Sequence, residues 1–212
     1  MKPCTQPEQR LMAGPSTTSR FVESPFTAVY TATDLVLAKR GDVLLELSKD
    51  GTAAGTLLVS SHVLALASPV FDAMFNGSFT EGQDVSAASP KKIALPDDDP
   101  KSIVLFCRLV HMQTKDLVHE PSFEELADLA IVCDKYHCTE SMRSWLRVWI
   151  TKKLASPKAR NFEKLIFVTY VCDLPKEFEE VTLAAMRDRA QLGRMYSMTH
   201  GSDYIPLQIV GE

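Results

Sequence analysis

The chain has 212 residues, 45% of them apolar, which is enough to bury one sizeable core and too much for a wholly disordered protein. Its formal net charge is -4, with lysines and arginines scattered rather than massed, so the electrostatic footprint of a nucleic-acid binder is missing. Five cysteines without short paired spacings suit a reducing compartment better than a disulfide framework. No apolar run approaches the ~18 residues of a membrane helix, and MKPCTQPEQR at the start has no apolar run after Lys2 and does not read as a secretory signal. The expectation is a protein of the cytoplasm, the nucleus or both, with neither a membrane nor a nucleic acid as partner.

Residues 1–30 carry prolines at positions 3, 7, 15 and 25 among Ser, Thr and Gln and offer little to bury, so they predict a disordered N-terminal tail. DVLLEL from Asp42 and TLLV from Thr56 flank SKDGTAAG, whose Asp50-Gly51 pair suits a reversing loop; the three together predict a strand hairpin. Two short helices follow. Ser61 is expected to cap the first, with Val63, Leu64 and Leu66 buried. Ser68-Pro69 opens the second, which places Val70, Phe71, Met74 and Phe75 on one face and stops at Asn76-Gly77. KKIAL is a third strand.

Asp99-Pro100 starts a helix with Ile103, Cys107, Val110 and His111 on a stripe. Ser122 and Glu125 form a capping box ahead of Leu126, Leu129, Ala130 and Cys133. TESMRSWLRVWITKKL begins at Thr139, is expected to bury Met142, Trp145 and Trp149, and closes on Lys152 and Lys153, where the helix dipole favours cations. Beyond residue 155, two further helices divide near Asp173 to Pro175, the second reaching Gly193. Strands that are followed and interrupted by helices make an α+β pattern.

Three polar groupings invite a chemical reading. Ser60, Ser61 and His62 are adjacent, but a serine nucleophile needs a hydrogen-bonded base, an orienting acid and oxyanion donors, which this spacing does not supply. Cys133 and His137 share a helix face with too few further ligands for zinc, so Cys133 is expected in the core and His137 at a helix end. Asp97 to Asp99 lack the loop of a calcium site and suit a helix start. The sequence thus predicts no enzyme, no cofactor and no metal.

In order, DVLLEL, LLVSSHVLALASPVFDAMFNGSFTE, KKIALPDDDPKSIVLFCRLVH, LADLAIVCDKYHC and RSWLRVWI resemble the BTB/POZ domain in the form common in fungal proteins, over about Gly41 to Ile150. The resemblance implies a three-stranded sheet flanked by helical hairpins in residues 31–153, with 154–212 a helical C-terminal extension, and a role in protein association. Phe79-Thr80-Glu81 matches the apolar-x-Glu signature of members that act as cullin ubiquitin-ligase adaptors, and with Phe75 it would form the partner surface. Asp42 matches the acid of a corepressor-binding pocket, whose basic partner is replaced here by Ser61. Two roles follow: a substrate adaptor that binds a cullin scaffold, or a scaffold or transcriptional co-regulator that forms homodimers or heterodimers with other BTB proteins.

Overall fold

The computed structural model describes residues 34–77, 84–115, 117, 120–157 and 160–187. These form a mixed α+β structure around a four-stranded sheet. The strands are β1 (Leu35–Val36), β2 (Val43–Lys49), β3 (Thr52–Val59) and β4 (Lys91–Leu95), and their order across the sheet is β1-β3-β2-β4. β2 and β3 are the antiparallel hairpin; β1 runs parallel to β3 and β4 parallel to β2. The sheet therefore has one strand more than the three expected. Two residues of β1 are too few to show a period of two, and their pairing with Leu57 and Leu58 is decided by tertiary structure.

The hairpin turn carries positive φ at both central residues, Asp50 (51°) and Gly51 (75°), the geometry whose twist matches the flanking strands. β2 alternates, with Val43, Leu45 and Leu47 buried, so one face of the sheet rests on the core.

The helices are α1 (Ser61–Ala67), α2 (Pro69–Asn76), α3 (Pro100–Val110), α4 (Phe123–Lys135), α5 (Thr139–Leu154), α6 (Lys164–Val171) and α7 (Pro175–Arg187). α3 lies between the sheet and the remaining helices, packing on β2, β3, α1, α4 and α5, and almost all of its side chains are buried. Its start is as expected: the Asp99 carboxylate accepts from the Ser102 N–H at 3.0 Å. The capping box of α4 has both of its bonds, Glu125 N–H to Ser122 Oγ and Ser122 N–H to the Glu125 carboxylate. Ser68 caps α2 at the Phe71 N–H.

Two burial expectations are corrected. Leu66 is 90% exposed, because at 100° per residue it stands about 200° round α1 from the buried Leu64. Trp145 is 36% exposed, whereas Met142 and Trp149 are buried; its ring leans on Trp149 at 5.7 Å.

α6 and α7 share the core with everything before them. α6 buries Leu165, Ile166, Phe167, Val168 and Thr169, leaving little polar face, and it packs on α4 and α7, while α7 also packs on α5. The buried Thr169 hydroxyl is satisfied by the Leu165 carbonyl one turn back. One continuous apolar cluster runs from Leu37 to Ala185.

Three helices end in the same way. After α3, α4 and α6, a residue with positive φ (Met112, His137, Asp173) turns the chain, and the next N–H returns to a carbonyl five residues back: Gln113 to Arg108, Cys138 to Cys133, Leu174 to Thr169. These are Schellman ends built without glycine. A left-handed residue other than glycine costs roughly 1–2 kcal/mol, partly offset by the greater freedom glycine gives the unfolded chain. Met112 is mostly exposed, so Met112→Gly forfeits little packing; it is expected to stabilise the fold by about 0.5 kcal/mol, read as a rise in the urea midpoint.

Candidate functional site

The polar residues singled out by the sequence come together where β3 runs into α1. Asp42 is fixed first by its backbone: its N–H donates to Val59 O at 3.1 Å and its carbonyl accepts from the Lys91 N–H at 2.9 Å, so it is pinned between β3 and β4. Gly41 beside it permits the approach. A Cβ there would stand 2.6 Å from Val59 O and 2.8 Å from Leu58 Cγ, closer than packing allows.

From this position the Asp42 carboxylate reaches the start of α1. One oxygen accepts from the Ser61 N–H at 2.7 Å and the other from the Ser61 hydroxyl at 2.7 Å. Ser61 is thus the first helical residue and not the cap; Ser60 occupies the cap position without a side-chain bond of its own, and an acid from β2's entrance replaces it.

His111, at the end of α3, completes the junction. Its Nε2 accepts from the Ser60 N–H at 3.0 Å and its Nδ1 lies 2.8 Å from the Cys107 carbonyl oxygen. Both bonds form only with the proton on Nδ1, so the imidazole is held neutral in one tautomer. Burial lowers its pKa below the ordinary 6.5, against the opposing pull of the Cys107 carbonyl. Below about pH 6.5 the unfolded chain therefore takes up a proton more readily than the folded one, and stability falls as pH falls. The urea midpoint is expected to drop between about pH 7 and pH 5.5, with a shallower drop in His111→Gln, whose side chain does not titrate there.

This constellation is a brace and not a catalytic triad. The serine hydroxyl donates its hydrogen bond directly to a carboxylate, and the exposed His62 stands farther off, its Nδ1 3.4 Å from Ser61 Oγ. The two backbone N–H groups best placed to form an oxyanion hole, those of Ser60 and Ser61, are already bound to His111 and Asp42.

The other polar groupings are likewise employed. Asp98 is buried and accepts from Tyr136 OH at 2.8 Å and Lys135 Nζ at 2.9 Å; burial first, and then the bond to Asp98, push the Tyr136 phenol well above its usual range. Asp99 caps α3 and meets Lys49 at 3.4 Å. Cys133 is in the core, and His137 is the exposed left-handed residue that ends α4.

Phe75 belongs to the core rather than to a partner surface. It is 6% exposed and stacks on Phe71 with ring centroids 5.8 Å apart, since residues four apart on α2 share a face and that face points inward. Phe79 and Glu81 lie outside the described residues. Spacing gave no sign of the Ser60–His111 and Asp98–Tyr136 links, which join residues 51 and 38 positions apart.

No family model matches the chain, and no curated protein matches it. No described helix is long and apolar enough to cross a membrane.

Proposed function

We propose that this chain is a non-catalytic protein-interaction module of the BTB/POZ kind, acting as a substrate adaptor for a cullin-type ubiquitin ligase. The observation that carries this reading is the order of elements: a β2–β3 hairpin, the short pair α1–α2, a strand β4 returning parallel to β2, then α3, α4 and α5. The brace at Asp42, Ser61 and His111 supports the non-catalytic part, because its polar groups hold backbone and leave no nucleophile with a base and an oxyanion site.

The adaptor surface of this reading consists of Phe79 and Glu81, an apolar anchor that removes area from water beside an acid that accepts charge-assisted hydrogen bonds. Pulldown from cell extract with wild type beside a Phe79→Ala/Glu81→Ala double variant, both verified as equally folded, tests it. Recovery of a cullin with wild type and at least a tenfold loss in the variant is expected, the loss corresponding to about 1.4 kcal/mol. If folded wild type recovers no cullin, the ligase role falls and the dimerising scaffold or transcriptional co-regulator takes its place.

A further inference from the structure

The brace and the aromatic core leave one group of reactive side chains without a role. Cys107, Cys133, Cys138 and Cys172 are all fully buried, and they come from α3, α4, the α4–α5 turn and the end of α6. The Cys138 thiol turns back onto the helix, its Sγ 3.9 Å from the carbonyl oxygen of Val132, the residue before Cys133. Among the described residues, no group of three or more His, Cys, Asp or Glu is arranged to hold a metal ion.

The backbone singles out one pair. Cys138 N–H donates to Cys133 O at 3.0 Å and His137 N–H to Asp134 O at 3.2 Å, the two bonds of a Schellman end. That motif brings the side chains of its third-last helical residue and its second following residue against each other, here two cysteines. Bridging them brings the two sulfurs to the ~2.05 Å of an S–S bond, a movement that a turn can absorb. Cys172 belongs to a separate buried helix, and drawing it to Cys133 would displace close-packed α6 on α4.

We propose that Cys133 and Cys138 are a dithiol/disulfide pair, oxidised by hydrogen peroxide. The Cys133 thiol loses a proton and its sulfur attacks one peroxide oxygen, breaking the O–O bond; this gives a sulfenic acid and one water. The Cys138 sulfur then displaces the second oxygen as water, the S–S bond forms, and two thiols and one peroxide have become one disulfide and two waters.

Hydrogen bonds from Cys138 and Cys172, followed by burial, push the Cys133 thiol well above its usual range. The closed fold therefore holds little thiolate, and oxidation runs through transient opening of the end of α4.

The test uses the full chain, as wild type and as Cys4→Ser to remove a cysteine outside the described residues. Each is treated with hydrogen peroxide at neutral pH in water and in urea below the unfolding transition, then quenched, alkylated and digested with trypsin without reductant. Trypsin cuts after Lys135, between the two cysteines, so the bridge appears as a linked peptide pair that reduction separates. Expected is this Cys133–Cys138 pair as the main product, with the mass of two hydrogens lost and a rate that rises severalfold in urea. Full alkylation of both cysteines after treatment, or Cys133 bridged to Cys172 in its place, overturns the assignment.

Discussion

Val168→Asp is expected to unfold the whole chain and not merely its C-terminal part. Val168 is fully buried on α6, a helix enclosed on nearly every side. An aspartate there is a carboxylate without a partner, and the cost of burying an unpaired charge is several kcal/mol even after it protonates or the surroundings relax. A domain of this size is stable by only about 5–15 kcal/mol, so a loss of about 4 kcal/mol or more takes most of the margin. The apolar cluster runs without a break from Leu37 to Ala185, which implies one cooperative unit. Hydrogen exchange distinguishes the alternatives: the amides of Leu45 in β2 and Phe106 in α3 should lose protection together with those of α6. If 154–212 behaves as an appended extension, β2 and α3 stay protected while α6 and α7 alone exchange. Leu183→Asp, at an exposed position of α7, serves as the control and should change stability by about 0.5 kcal/mol or less.

The parts legible in the sequence were those decided within a few residues. Asp50-Gly51 announced the hairpin because a two-residue reversal needs two positive φ values, and these are the residues that tolerate them. Ser68-Pro69, Asp99-Pro100 and Ser122 with Glu125 announced helix starts because a cap bonds three residues ahead. What escaped was decided by groups far apart in the chain. The Asp42 carboxylate does for α1 what its own Ser60 does not, and only the pairing of Asp42 with Val59 and Lys91 brings it there. The left-handed turns at Met112, His137 and Asp173 had no glycine to mark them. At the candidate site, the serines near α1 were legible as helix-start residues and not as a nucleophile, whereas the partners that hold them, Asp42 and His111, were not, since those come from other elements of the fold.

Phe71→Ala is expected to cost about 3–5 kcal/mol, near the top of the range for single core truncations. Phe71 is fully buried on α2 and stands at the centre of an aromatic cluster: Tyr136 stacks on it at 4.5 Å with planes 4° apart, Phe75 at 5.8 Å and Phe106 at 6.2 Å. Truncation removes the ring's transfer free energy and leaves a cavity. It also removes three ring contacts, each typically worth about 0.5–1.5 kcal/mol beyond its area. The cavity has little means of collapse. Tyr136 is tethered at its hydroxyl by Asp98, its carbonyl accepts from Ser68 Oγ, and Phe106 sits on α3, packed all round. Phe75→Ala provides the comparison: near the end of α2 and stacked on Phe71, it should cost less than Phe71→Ala by at least about 1 kcal/mol. Urea denaturation of the three proteins, with unchanged slope and lowered midpoint for the variants, measures both values. Equal losses at 71 and 75 would mean that the cluster yields as one unit and that the tethers on Tyr136 do not resist its collapse.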